Sequence, residues 1–164
     1  MRRFGLICCC ALLCALLTSC EENSFQRSVP AYPVHVEIDV ERQFVDFVPE
    51  NFGAYITVNK SGYYKNDQFI LPVTVKDAWG YGGVVVFIAM NGYTAYDLGC
   101  PNCASRGRKC PCFVDGMYAV CPECGENYDL GCGYAIPTKG LIKESLRPLN
   151  IIPFGKKLTI TQKQ

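Results

Sequence analysis

The chain has 164 residues, with 16 Lys and Arg against 15 Asp and Glu, one His and 12 Cys. A formal charge of +1 gives no electrostatic footprint for nucleic acid, and one His excludes any site that needs two imidazoles. Apolar residues make up 49% and charged residues 19%, too apolar a balance for a disordered chain.

Residues 1–19 are expected to leave the mature chain as a lipoprotein signal peptide. Arg2 and Arg3 form a charged start, and Gly5 to Leu17 form an apolar stretch too short to span a membrane comfortably. The run Leu17-Thr18-Ser19-Cys20 resembles a bacterial lipobox. That resemblance implies removal of everything before Cys20 and lipidation of the Cys itself, so the protein is expected in the cell envelope, facing the periplasm or the outside. An ordinary signal peptide with an incidental Cys20 is the alternative. Residues 20–33, polar after Cys20 and with two Pro, read as the lipidated Cys and its tether. Residues 34–164 read as one domain.

The domain reads as all-β. Val34, Val36, Ile38 and Val40 alternate with polar residues, as in a half-buried strand. Ala54–Asn59 and Phe69–Lys76 are further strands, with Ser61-Gly62 and Asn66-Asp67 as turns. Gly83–Met90 is a continuous β-branched and aromatic run, predicting a central strand. Asn91-Gly92 predicts a type I′ hairpin with Tyr93–Leu98 as its return, and Asp115-Gly116 repeats the device between Cys112–Val114 and Met117–Val120. Leu141–Leu149 has room for one helical turn before Pro148. Leu158–Thr161 alternates as a last strand.

The cysteines carry the chemistry. Seven lie between positions 100 and 132. Cys100-Pro101-Asn102-Cys103 and Cys121-Pro122-Glu123-Cys124 are two knuckles 17 residues apart, a metal-site spacing in which each tight turn aims two sulfurs at one point. Four thiolates suit Zn²⁺ or iron. A second grouping, Cys100, Cys103, Cys110 and Cys112, ignores the second knuckle and ranks lower. Disulfides are the other reading, since an exported protein permits them. Apart from Cys20 the count is odd, so at least one of the seven has no partner within the chain. Cys110, Cys112 and Cys132 are the candidates for a disulfide or for spare thiols. A short repeat, Tyr96-Asp97-Leu98-Gly99-Cys100 and Tyr128-Asp129-Leu130-Gly131-Cys132, frames the region. Asp97 and Asp129 read as turn supports, Gly99, Gly125 and Gly131 as room for amides to reach thiolates, and Tyr96, Tyr118 and Tyr128 as shielding. Arg106–Lys109 reads as a solvated basic loop, with a docking surface for an acidic redox partner as the sharper alternative.

From Gly83 to about Ile160 the sequence resembles the Rieske iron–sulfur domain. The matching text is an apolar strand, AYDLGCPNC, a hairpin, MYAVCPECGENYDLGCG, and then AIPTKG with LRPLNI. The resemblance implies a β-sandwich with two Cys-bearing loops within residues 91–140, built on strands supplied by residues 34–80. Cys100 and Cys121 carry over as the family's two Cys ligands. The two His positions fall on Asn102 and Cys124, and His35 lies in a distant strand. Cys103, one position beyond Asn102, can supply the missing ligand if the loop shifts slightly. The high potential that two His ligands confer cannot exist here.

The leading expectation is a membrane-anchored carrier with an iron–sulfur cluster ([2Fe–2S] in the family) or a single iron held by Cys100, Cys103, Cys121 and Cys124. Its partner would be a redox protein or another envelope component. The alternative is a non-catalytic module stapled by Zn²⁺ or by disulfides. No Ser/His/Asp set, P-loop, dinucleotide fingerprint or H-E-x-x-H is present, so catalysis is the least supported reading.

Overall fold

The computed structural model describes residues 26–163. The expected signal peptide, Cys20 and the first part of the tether lie outside the described residues. From Arg27 the chain is already docked. Val29 is fully buried, the Ser28 amide donates to both Glu144 carboxylate oxygens at 3.0 and 3.2 Å, and Arg147 Nε donates to the Val29 carbonyl at 3.1 Å.

Among the described residues, two antiparallel sheets make up nearly all of the regular structure. The larger is formed by β1 (Val34–Asp39), β2 (Tyr55–Asn59), β3 (Gly62–Lys65), β4 (Gln68–Leu71), β5 (Ala78–Trp79), β6 (Val84–Ala89), β7 (Gly92–Asp97), β12 (Arg147–Phe154) and β13 (Lys157–Gln162). Their order is β4-β3-β2-β6-β7-β12-β13-β1-β5. The smaller sheet holds β8 (Phe113–Asp115), β9 (Tyr118–Val120), β10 (Asn127–Asp129) and β11 (Ile136–Pro137), in the order β11-β10-β9-β8. One helical turn, α1 (Pro101–Ala104), follows β7. Among the described residues no helix is long and apolar enough to cross a membrane.

The all-β expectation holds. β12 pairs with β7 at Arg147 and Pro148 and with β13 from Leu149 onward, so it carries the chain from one half of the large sheet to the other. Both halves contribute to one core: Val34, Val36 and Ile38 of β1 and Leu158 and Ile160 of β13 cluster with Ile56, Val58, Val84, Val86 and Ile88. The alternation of β1 is the signature of a strand with one wet face; its inward residues are buried and His35 and Glu37 are exposed. β6 has no wet face. Val84, Val86 and Ile88 enter the first core, whereas Val85, Phe87 and Ala89 enter a second one that contains the cysteines. A strand buried on both sides needs an unbroken apolar run, which is why Gly83–Met90 shows no alternation.

Several boundaries differ from the sequence expectations. Residues 62–65 form β3, which pairs with β2 and β4. The strand expected over Phe69–Lys76 is Gln68–Leu71, and Pro72 begins a loop closed by the Asp77 amide on the Thr74 carbonyl. The turn after β6 is not type I′. Gly92 takes φ +99° while Asn91 stays at negative φ, and Ala89 pairs with Gly92. Positive φ at Gly116 alone gives the second hairpin the glycine-first pattern of a type II′ turn. Leu141–Leu149 forms no helical turn: residues up to Leu146 are loop, and Pro148 lies inside β12.

Candidate metal centre

The first knuckle is built on α1. Pro101 occupies the first helical position, where its missing N–H costs nothing. The Ala104 amide donates to the Cys100 carbonyl at 2.9 Å, closing one turn that sets Cys100 and Cys103 three residues apart on the same side. The second knuckle is a loop between β9 and β10. The Gly125 amide donates to the Cys121 carbonyl at 2.9 Å, the Cys121 amide donates to the Glu126 carbonyl at 2.9 Å, and Gly125 supplies φ +71°.

These turns bring the four sulfurs predicted from the C-x₂-C spacing together. Sγ of Cys100, Cys103, Cys121 and Cys124 all lie within 4.8 Å of one another. Cys100 and Cys124 are 3.7 Å apart, as are Cys103 and Cys121. Neither separation is a disulfide bond, and all seven described cysteines are free thiols. Cys100, Cys103 and Cys121 are fully buried and Cys124 is half-buried.

The thiols are unequal. The Cys100 pKa is held down to about 4, chiefly by a hydrogen bond from the Cys112 thiol, with the Tyr128 hydroxyl and the Cys103 amide assisting against burial. Burial raises Cys103, with the Cys110 and Cys121 thiols adding to it. Burial also lifts Cys121 to about 11, opposed by the amides of Cys124 and Glu123. Amides of the knuckle turning back on its first sulfur are the N–H···S pattern of thiolate sites. Left alone, the pocket favours a thiolate at Cys100 and protonated thiols at Cys103 and Cys121. A divalent cation reverses this, because a coordinated thiol is deprotonated outright.

The surroundings are partly those expected. Tyr128 is fully buried with its hydroxyl 3.5 Å from Cys100 Sγ, and both burial and that contact raise its pKa. Tyr96 instead donates to the Gly133 carbonyl at 2.6 Å, and Tyr118 is exposed. Asp97 is a turn support, as read: its carboxylate accepts the amides of Tyr81, Gly82 and Gly99 at 2.6, 2.8 and 2.7 Å. Asp129 accepts the Cys132 amide at 3.1 Å. Gly99 and Gly131 serve close packing rather than amide access; a Cβ there would meet Tyr81 and Met117, each at 2.6 Å.

Within the basic loop, Arg108 reaches Cys103 Sγ at 3.8 Å and pairs with Glu123 at 3.7 Å, and Lys109 lies 5.0 Å from the Tyr81 ring centroid. Asn102, at the position of the first family His, is buried with its Nδ2 unpartnered. His35 sits in β1, with Nε2 3.9 Å from Glu37. Cys132 lies outside the four-sulfur group and donates to the Asp129 carbonyl at 3.2 Å.

Glu126 was not foreseen. It is fully buried and accepts the amides of Lys139 at 2.8 Å and Leu141 at 2.9 Å, tying the 139–141 loop to the second knuckle. Its partners lie 13 and 15 residues away, and no local pattern announces them.

No protein-family model and no curated protein matches the chain. Among solved structures, a chain from a complex described as reduced oxygenase and oxidized ferredoxin in carbazole 1,9a-dioxygenase is similar. The identity is 12%, over 80% of this chain and 96% of that chain, with a TM-score of 0.44.

Proposed function

We propose that Cys100, Cys103, Cys121 and Cys124 hold a single tetrahedral ion, zinc, and that the domain is a metal-stapled, non-catalytic binding module of the cell envelope. The separation of the four sulfurs carries this reading. Metal–sulfur bonds of about 2.3 Å in a regular tetrahedron put neighbouring sulfurs about 3.8 Å apart, and the two measured pairs are at 3.7 Å. A bridged two-iron core places one cysteine pair on each iron and adds the iron–iron distance between the pairs. With all four sulfurs within 4.8 Å, that distance could be at most about 2.1 Å, shorter than one metal–sulfur bond. These separations support a single ion over a two-iron cluster. Four protein ligands also leave no open position for a reacting water.

The staple has mechanical sense. Among the described residues the small sheet shares no strand pairing with the large one, and the ties near the site are the Gly99–Pro111 bridge, a few backbone bonds, the Arg108–Glu123 pair and the Tyr128–Cys100 contact. An ion across the two knuckles links the end of β7 to the β9–β10 loop. A single iron acting as a one-electron carrier is the second reading. The half-buried Cys124, with Arg108 bonded to Cys103 and facing solvent, favours it.

Metal and acid-labile sulfide analysis on the purified full chain, with a visible spectrum, tests this. Zinc with no sulfide and no visible band is expected. Sulfide would overturn the single-ion reading, and iron without sulfide would select the carrier. Export and lipid anchoring through Cys20 rest on Leu17-Thr18-Ser19-Cys20. Cys20→Ala should shift the protein from the membrane to the soluble fraction, and unchanged fractionation would remove the anchor.

A further inference from the structure

Cys110 and Cys112 lie outside the four-sulfur group, yet both are buried free thiols in the same core cluster as Cys100, Cys103 and Cys121, against which Cys124 packs. Their placement is set by the backbone. Residues 110–112 run antiparallel to residues 98–100 through a bridge between Gly99 and Pro111. The Cys100 amide donates to the Cys110 carbonyl at 3.0 Å and the Cys112 amide to the Leu98 carbonyl at 2.7 Å. In such a pairing, directly opposed residues and residues two apart share a face. Cys100, Cys110 and Cys112 therefore face one side, and Pro111 turns to solvent. Burial agrees: Cys110 and Cys112 lie in the core cluster that also holds Cys100 and Cys103. The two extra thiols thus share the face that carries Cys100, whose sulfur Cys103, Cys121 and Cys124 approach.

We propose that Cys110 and Cys112 complete a second tetrahedral site in which Cys100 and Cys103 serve as bridging thiolates, so that six cysteines hold two thiophilic divalent ions. The proposal rests on the single-ion reading of the first four cysteines and extends it. The two four-cysteine groupings visible in the sequence are then not rivals, because they share an edge. A thiolate bound to one ion keeps lone pairs for another. Binding of the second ion displaces the protons of Cys110 and Cys112 to solvent. The charge also balances: six thiolates with two divalent ions carry the same net −2 as four thiolates with one. The second ion therefore adds no charge to the buried site, and the Arg108 guanidinium 3.8 Å from Cys103 faces the same anion in either state. Cys112 lines a cavity of about 630 Å³, with Tyr81, Leu98 and Lys109 among its walls, which supplies an entry path. Cys132 is the one described cysteine left over, which accounts for the odd count. Cys110 and Cys112 are not within the 4.8 Å group, so the second ion is expected to bind after the first and more weakly.

The test uses the full chain with Cys8→Ser, Cys9→Ser, Cys10→Ser, Cys14→Ser and Cys20→Ser, which removes only thiols outside the described residues. The reduced, metal-free protein is titrated with Cd²⁺. The thiolate-to-cadmium charge-transfer band and native mass spectrometry give the number of ions bound. Two ions per chain are expected, falling to one with Cys110→Ser/Cys112→Ser. Saturation at one ion in the parent overturns this proposal and leaves the first site standing, and no tight binding overturns both. The parent's stoichiometry decides the matter even if the double variant folds poorly.

Discussion

Cys121→Ser is expected to abolish tight metal binding and to lower stability by about 4 kcal/mol, the linkage contributed by a ligand present at roughly a thousand times its Kd. For a domain of this size that is a fall in Tm of roughly 10–15 °C. Cys121 is fully buried, sits 3.7 Å from Cys103 and receives the amides of Glu123 and Cys124. Serine presents a harder, poorly ionised oxygen on a shorter bond, so the ion would lose one of four thiolates and the knuckle its anchor. A chelator should reproduce the shift in the parent protein and add nothing in the variant. Cys132→Ser is the matched control, because Cys132 lies outside the cluster and only donates to the Asp129 carbonyl. Metal content and thermal melts of the three proteins check the set. Full metal occupancy in Cys121→Ser would remove Cys121 from the site.

How much of this was legible in advance follows from the range of the interactions. β1 and β13 could be read because each has a wet face and therefore alternates. β6 could be read because burial on both faces demands an unbroken apolar run. β12 could not. It contains Pro148 and Pro153, and it exposes Ile152 and Phe154, so neither alternation nor an apolar run marks it; its identity comes from the β7 and β13 strands it joins. β3 was hidden because its first residue, Gly62, reads as the end of a turn.

The same distinction divides the site. Each knuckle is a local object, three residues from sulfur to sulfur, so Cys100–Cys103 and Cys121–Cys124 were evident from spacing. That two knuckles 17 residues apart meet was inferred from their symmetry, and the four converging sulfurs agree with it. The places of Cys110 and Cys112 depend on residues 105–109 returning the chain against Leu98–Cys100, which no spacing rule encodes. The Arg108 contact to Cys103 is a product of that return. A family template directs attention to the two His positions, now Asn102 and Cys124. Neither position falls in the Cys110-Pro111-Cys112 segment.

Asp97→Ala is expected to cost about 3 kcal/mol or more, since removing an acceptor from a buried donor costs about 1–3 kcal/mol and three amides lose theirs together. The carboxylate is almost fully buried and bonds to Tyr81, Gly82 and Gly99 at once. The backbones it joins approach very closely: a Cβ on Gly82 would lie 2.1 Å from the Gly99 nitrogen and 2.5 Å from its Cα. Burial raises the Asp97 pKa, whereas the Gly99, Tyr81 and Gly82 amides and the Arg147 charge pull it back toward ionisation. Alanine leaves those amides without an acceptor and frees Gly99, which precedes the first metal-site cysteine. The variant should therefore melt roughly 6–12 °C lower and should also bind metal more weakly, because the loop that aims Cys100 must be ordered during binding. A competitive metal titration beside the melt separates the two effects. A lower Tm with unchanged metal affinity would make Asp97 a clasp between β7 and the 80–83 turn. Weakened affinity as well would show that the same carboxylate positions the sulfur.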